Sequence, residues 1–286
     1  MTWNNLKNLP VWLWPVCLVL VISGMVFNGL RWYVLLRAQS VHLPLLEALK
    51  ITFAGAFSSN FLPSTIGGDA VRMVSLYRFT TNKTLIVASV VVDRAMNVLA
   101  MASVIPFAIV TFGNPLLYLK GSPAPKASIA LSPLASRIYT FTIRIKNRLI
   151  QTFSIWLHQP MTLVAAYIIS WLSVLVIFLE IWLLAKFLGI PVALYQVLGV
   201  TITTYVVSIL PISVNGYGLR EVAMTTLYMH LGASLEQAST LALVSRFFMV
   251  LQTLPGALFL AQVLPVKINS EEYKKLEQGS EPLDGI

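Results

Sequence analysis

One cysteine, three histidines and eleven acidic residues are all that 286 positions hold of the side chains on which most catalysis depends. With Cys17 alone, an intrachain disulfide and a thiolate metal site are both excluded. His42, His158 and His230 show no metal-ligand spacing, and the chain has no Gly-x-Ser-x-Gly elbow, no P-loop and no dinucleotide fingerprint. No acid occurs between Asp93 and Glu180. The carboxylates elsewhere in the apolar chain, Asp69, Asp93, Glu180 and Glu221, each have an arginine within reach, which favours charge compensation over acid–base work. Nothing here calls for a catalytic residue, a cofactor or a metal, and the chain is not expected to be an enzyme. Charge of any kind is scarce: 11% of residues, against roughly a quarter in soluble domains.

What fills the chain instead is hydrocarbon. The composition is 57% hydrophobic and the mean hydropathy is +0.78. Residues 10–36, 84–112, 161–188 and 235–264 each exceed the roughly 20 apolar residues needed to cross a bilayer. The first is too long and too rich in tryptophan for a cleaved signal peptide. The net charge of +9 is concentrated between the second and third of these stretches, at Lys120, Lys126, Arg137, Arg144, Lys146 and Arg148, with no acid to balance it. The positive-inside rule puts that connection in the cytoplasm. Nucleic acid is a poor partner for a chain with no soluble domain to present a basic face. Ile138, Phe141, Ile145, Leu149, Phe153 and Trp156 form one helical stripe, so this connection reads either as an interfacial helix beside anionic lipid or as a linker packed on the bundle.

Two segments carry the chemistry. Leu62-Pro63 with Gly67, Gly68, Asp69 and Arg72 returns as Leu210-Pro211 with Asn215, Gly216, Gly218, Arg220 and Glu221, at an offset of 148 (211 − 63 and 220 − 72). Each half then contains the same order: a long span, a less apolar helix, the motif leading into a short helix, and a second long span. The expected architecture is an all-α polytopic bundle of about six to eight spans, with two internal repeats, each holding a Pro/Gly-broken or re-entrant helix. The expected organisation is one integral membrane domain over 1–264, with repeat one at about 10–112, a basic linker at about 113–160 and repeat two at about 161–264. A polar, poorly ordered tail follows over 265–286.

Irregular backbone at membrane depth is tolerated where it lines a watery cavity, and paired broken segments point to a transporter's binding site. An embedded arginine costs about 2.5 to 3.5 kcal/mol on the insertion scale and needs a reason. Arg72 and Arg220, at or near the start of short helices, suit phosphate oxygens; the alternative is local pairing with Asp69 and Glu221. The glycines permit positive φ or close backbone approach. Asp93, Arg94, Glu180 and Arg246 lie in the long spans, with Arg94 and Arg246 in comparable positions. Asp93 and Arg94 point about 100° apart on a helix, so each meets its own partner. Glu47 and Lys50 read as an interfacial pair.

At Asn60-x-x-Pro63, Gly67-Gly68-Asp69-x-x-Arg72, Asp93-Arg94 and Asn215-Gly216-x-Gly218-x-Arg220-Glu221 the sequence resembles the lysylphosphatidylglycerol synthase transmembrane-region family. The resemblance implies a helical bundle that moves a lipid between leaflets, with membrane lipids, foremost an anionic phospholipid, as partners, in a prokaryotic cytoplasmic membrane. A second copy or another membrane protein is a further expected partner. In bifunctional members a soluble aminoacyl-transferase domain follows; the sequence given stops at Ile286, so synthase activity is not expected of it. The rival readings are an integral-membrane enzyme acting on lipid-linked substrates and an accessory subunit.

Overall fold

A computed structural model of the protein describes residues 10–61, 65–113, 156, 158–209 and 218–264. Pro63, Pro211, Asn215 and Gly216, nearly all of the basic connection, and the tail lie outside them. The described residues are helical, without strands. Repeat one supplies α1 (Leu13–Arg37), α2 (Leu45–Ser58), α3 (Thr65–Leu76), α4 (Lys83–Ala102) and α5 (Ile105–Phe112). Repeat two supplies α6 (Pro160–Phe187), α7 (Leu194–Ile209), α8 (Leu219–His230), α9 (Leu235–Leu251) and α10 (Pro255–Val263). Each helix thus has a counterpart five further on.

Local chemistry explains the boundaries. Asn82 accepts from the Leu85 N–H at the start of α4, and Ser234 accepts from the Gln237 N–H at the start of α9. The long apolar stretches 84–112 and 235–264 are each two helices, not one. The first breaks at Ser103 and Val104 ahead of Pro106, and the second breaks ahead of Pro255. A proline lacks the N–H that an uninterrupted helix needs but fits its first turn, so each break restarts as a short helix. Among the described residues, taken as continuous rods, α1, α4–α5, α6 and α9–α10 are the four elements long and apolar enough to cross a bilayer. The pairs α2–α3 and α7–α8 have 14, 12, 16 and 12 residues, too short for each to cross alone; counting six to eight spans requires them to contribute. Many exposed positions on the long helices are apolar, among them Val19, Val98, Ile168, Leu175 and Leu243, as lipid contact demands.

The repeats match in burial more closely than in sequence. Arg31, Trp32, Leu35 and Leu36 are buried on α1, and Glu180, Ile181, Leu184 and Ala185 are buried on α6, at a constant offset of 149 (180 − 31). The same offset places Ser40, φ +58°, on Gly189, φ +73°, where both helices end in a left-handed turn. On α4 and α9 the buried sets coincide at an offset of 152, which carries Ser89, Asp93 and Met96 to Leu241, Ser245 and Phe248.

The two halves are inverted. Trp12 at the start of α1 stacks edge-on against Phe187 at the end of α6. Ser173 hydrogen-bonds Gly24 O and Asn28, Arg31 reaches Ser170, and the Trp156 indole reaches Leu35 O just ahead of α6. Rising numbers on one helix meet falling numbers on the other, so α1 and α6 run antiparallel and the repeats have opposite topology. They also exchange their last helices: α5 of repeat one packs on α7, and α10 of repeat two packs on α2. A Cβ on Gly256 in α10 would stand 2.0 Å from Phe53 O, a backbone atom that cannot swing aside. Gly256→Ala is therefore expected to lower the unfolding temperature in detergent, with overpacking of this kind destabilising by about 1–3 kcal/mol.

Candidate functional site

Where the halves meet, a cavity of about 610 Å³ is walled by both repeats, and five arginines line it: Arg31, Arg72, Arg94, Arg220 and Arg246. Asp69 and Asp93 are also on its wall.

In repeat one the charges interlock. Asp93 on α4, 2% exposed, receives Arg31 Nε at 2.6 Å and Arg72 Nη2 at 2.9 Å, one on each carboxylate oxygen. Arg31 also donates to Ser170 at 3.2 Å and Asn97 at 3.4 Å. Arg72 lies over the Trp32 ring at 4.4 Å, and its second carboxylate, Asp69, is one helical turn back at 3.7 Å. Asp69 is held on its other oxygen by Arg94. The expectation that Asp93 and Arg94 serve different partners is met. Arg72 is not at a helix start, however: it is the eighth residue of α3, and its principal partner is Asp93 rather than Asp69.

The glycine ahead of it has a packing reason. A Cβ on Gly68 would stand 2.5 Å from Gly55 O, so α3 lies directly on the α2 backbone, bringing Arg72 over to α4. Gly67 occupies the preceding helical position. In repeat two the corresponding freedom is used differently: Gly218 has φ +81° and begins α8, and its N–H donates to Glu221 Oε2 at 2.8 Å. Arg220 is the second residue of that helix, where first-turn N–H groups and the positive dipole end lie. Asn60, at the end of α2, donates to Thr253 ahead of α10 and so ties the two repeats together, away from the cavity lining.

Repeat two departs from local pairing. Glu221 binds Arg246 on α9 at 3.3 Å and not its neighbour Arg220, because adjacent helical residues point about 100° apart. Arg220 and Arg246 both reach the Met249 sulfur. Among the described residues Arg220 forms no ion pair; the carboxylates that act on it electrostatically are Glu180 and Glu221, and Arg246 repels it. The matched offsets show why. Where repeat one has Arg31 and Asp93, repeat two has Glu180 and Ser245, so Arg220 lacks the carboxylate that Arg72 grips. Arg94 and Arg246 do occupy equivalent places, each paired with a carboxylate from the short helix of its own repeat. Glu47 and Lys50 pair at 2.8 Å on α2, away from the site.

Two side chains went unweighed in the sequence. Arg31 passed as part of an apolar span, although a guanidinium inside 25 membrane residues is a functional signal by itself. Tyr228 is fully buried beside Glu180.

An inverted pair of five-helix repeats around an arginine-lined cavity, with helices long and apolar enough to cross a bilayer, defines an integral membrane protein. The model of the lysylphosphatidylglycerol synthase TM region matches residues 2–256, and the chain belongs to that family. No curated protein and no solved structure matches it. Membership ties it to membrane lipid.

Proposed function

We infer that the protein is a lipid translocase that holds the phosphate of an anionic phospholipid or lipid-linked headgroup between its repeats and passes it from one leaflet to the other. Arg220 carries this reading: it is a cation on the cavity wall, at a helix N-terminus, and among the described residues no ion pair occupies it. Its counterpart Arg72 is paired with two aspartates, so the two motif arginines divide the work. Arg72 holds the wall together and Arg220 receives the ligand.

On this reading the headgroup crosses inside the cavity while the acyl chains stay in lipid, and no bond is made or broken. The proposed location is a prokaryotic cytoplasmic membrane, and the basic connection between the repeats supports an orientation with that connection facing the cytoplasm. The test is leaflet exchange of labelled phosphatidylglycerol in proteoliposomes of the purified chain. Exchange well above the empty-vesicle rate, selective for anionic over zwitterionic headgroups, is expected. Exchange at the empty-vesicle rate for every headgroup tried would defeat the reading, and turnover of lipid-linked substrates would then be sought instead.

A further inference from the structure

Glu180 sits within the 28-residue helix α6, 3% exposed, and among the described residues its Oε1 accepts no hydrogen bond. Two neighbours on the same helix face, Ile177 and Ile181, line the cavity. Among the described residues, the groups coupled electrostatically to the carboxylate are Arg220 and Tyr228 from α8 and Cys17 from α1. The Tyr228 hydroxyl is likewise buried without a hydrogen bond among the described residues. The other elements packed on α6 add little that competes. Arg246 from α9 is engaged by Glu221, Asp93 from α4 is gripped by Arg31 and Arg72, and α7 brings Tyr205 to the cavity. A carboxylate this deep, with an incomplete shell of donors, has no structural task comparable to that of Asp93. Among the described residues the cation that acts on it electrostatically is Arg220, the arginine assigned to the ligand.

We propose that Glu180 is a proton-binding site that exchanges with the lipid phosphate for Arg220. With the cavity empty, the Glu180 carboxylate neutralises Arg220. When an anionic phosphodiester binds Arg220, Glu180 takes up one proton from water and becomes the neutral acid. One positive and one negative charge enter together, and the net charge of the buried site is unchanged. That balance matters where the dielectric is low, because an uncompensated charge is strongly disfavoured there. Release of the lipid returns the proton, so lipid movement and proton movement are linked. A metal cation fits poorly in that place: it takes several oxygen ligands, and the groups facing Glu180 offer one hydroxyl, one thiol and one guanidinium.

This rests on the headgroup reading above, and the experiment separates the two. Short-chain phosphatidylglycerol is titrated into the detergent-solubilised full chain by calorimetry, in buffers of different ionisation enthalpy and at several values of pH on both sides of neutrality. Over part of that range the unmodified protein is expected to take up about one proton per lipid bound, with affinity falling by up to about tenfold per pH unit as pH rises. In Glu180→Gln, which keeps the shape but cannot titrate, proton uptake disappears and the affinity becomes flat with pH. Binding without proton uptake at any pH in the unmodified chain overturns the proton site and leaves headgroup binding standing. So does an unchanged pH profile in Glu180→Gln. No binding at any pH overturns the headgroup reading and this one together.

Discussion

Asp93→Ser is expected to leave little folded protein in detergent, and adding Arg31→Glu to the same chain is expected to restore much of it. Asp93 is the carboxylate between two buried guanidiniums, Arg31 at 2.6 Å and Arg72 at 2.9 Å. Removing one partner from a buried ion network destabilises by about 3–5 kcal/mol, chiefly because the remaining charge is left uncompensated. Here Arg31 is left without its carboxylate and Arg72 with only Asp69 at 3.7 Å, and neither guanidinium can give up its proton to escape. The rescue follows from the repeat. At the positions of Arg31, Asp93 and Arg72, repeat two already carries Glu180, Ser245 and Arg220, and it packs around them. The double variant copies that set into repeat one, replacing the stranded Arg31 by an acid beside Arg72. Thermal unfolding of the two singles and the double gives the coupling as a double-mutant cycle. Additive effects, with the double no more stable than Asp93→Ser, would sink the claim that the repeats hold interchangeable charge sets.

The inverted pair was half visible in the sequence. The two Pro/Gly motifs and the order of elements mark a duplication, because a helix breaker, glycines and an arginine in one apolar chain are costly to place twice by accident. The exact correspondence was hidden because its offset drifts from 149 at α1 and α6, through 148 at Arg72 and Arg220, to 152 at α4 and α9. Burial kept the register where letters did not: a helix interface asks only that a position be apolar and of fitting size. The site itself was legible as a set of residues but not as a set of pairs. Asp93 and Arg94 could be separated by helix geometry alone, and the same geometry denies Glu221 to Arg220. Arg31 meets its acid 62 residues away, a distance across which no local spacing rule operates.

Arg220→Ala is expected to abolish most anionic lipid exchange while leaving the chain folded. The two motif arginines, alike in sequence, differ in what their loss leaves behind. Without Arg72, Asp93 keeps Arg31 but Asp69 keeps only Arg94, and the α3–α4 contact loses its centre. Without Arg220, the group left behind is Glu180, and a carboxylate can take up a proton where a guanidinium cannot lose one. Arg220→Ala thus relieves its own damage, and its unfolding temperature should stay near that of the unmodified chain. Exchange should not. A charge-assisted contact to phosphate is worth about 1.5–3 kcal/mol, which is roughly a ten- to hundredfold fall in headgroup occupancy and hence in exchange. Arg220→Lys, which keeps the charge but not the planar fork, should fall between. Dithionite quenching of labelled phosphatidylglycerol in proteoliposomes reads all three rates, and detergent unfolding of the same preparations reads the fold. If Arg220→Ala unfolds like Asp93→Ser, Arg220 belongs to the scaffold. If it folds and still exchanges lipid at the unmodified rate, the headgroup does not bind there. Loss of exchange in a stable protein is the result that only a ligand-binding arginine produces, because a structural one takes the fold with it.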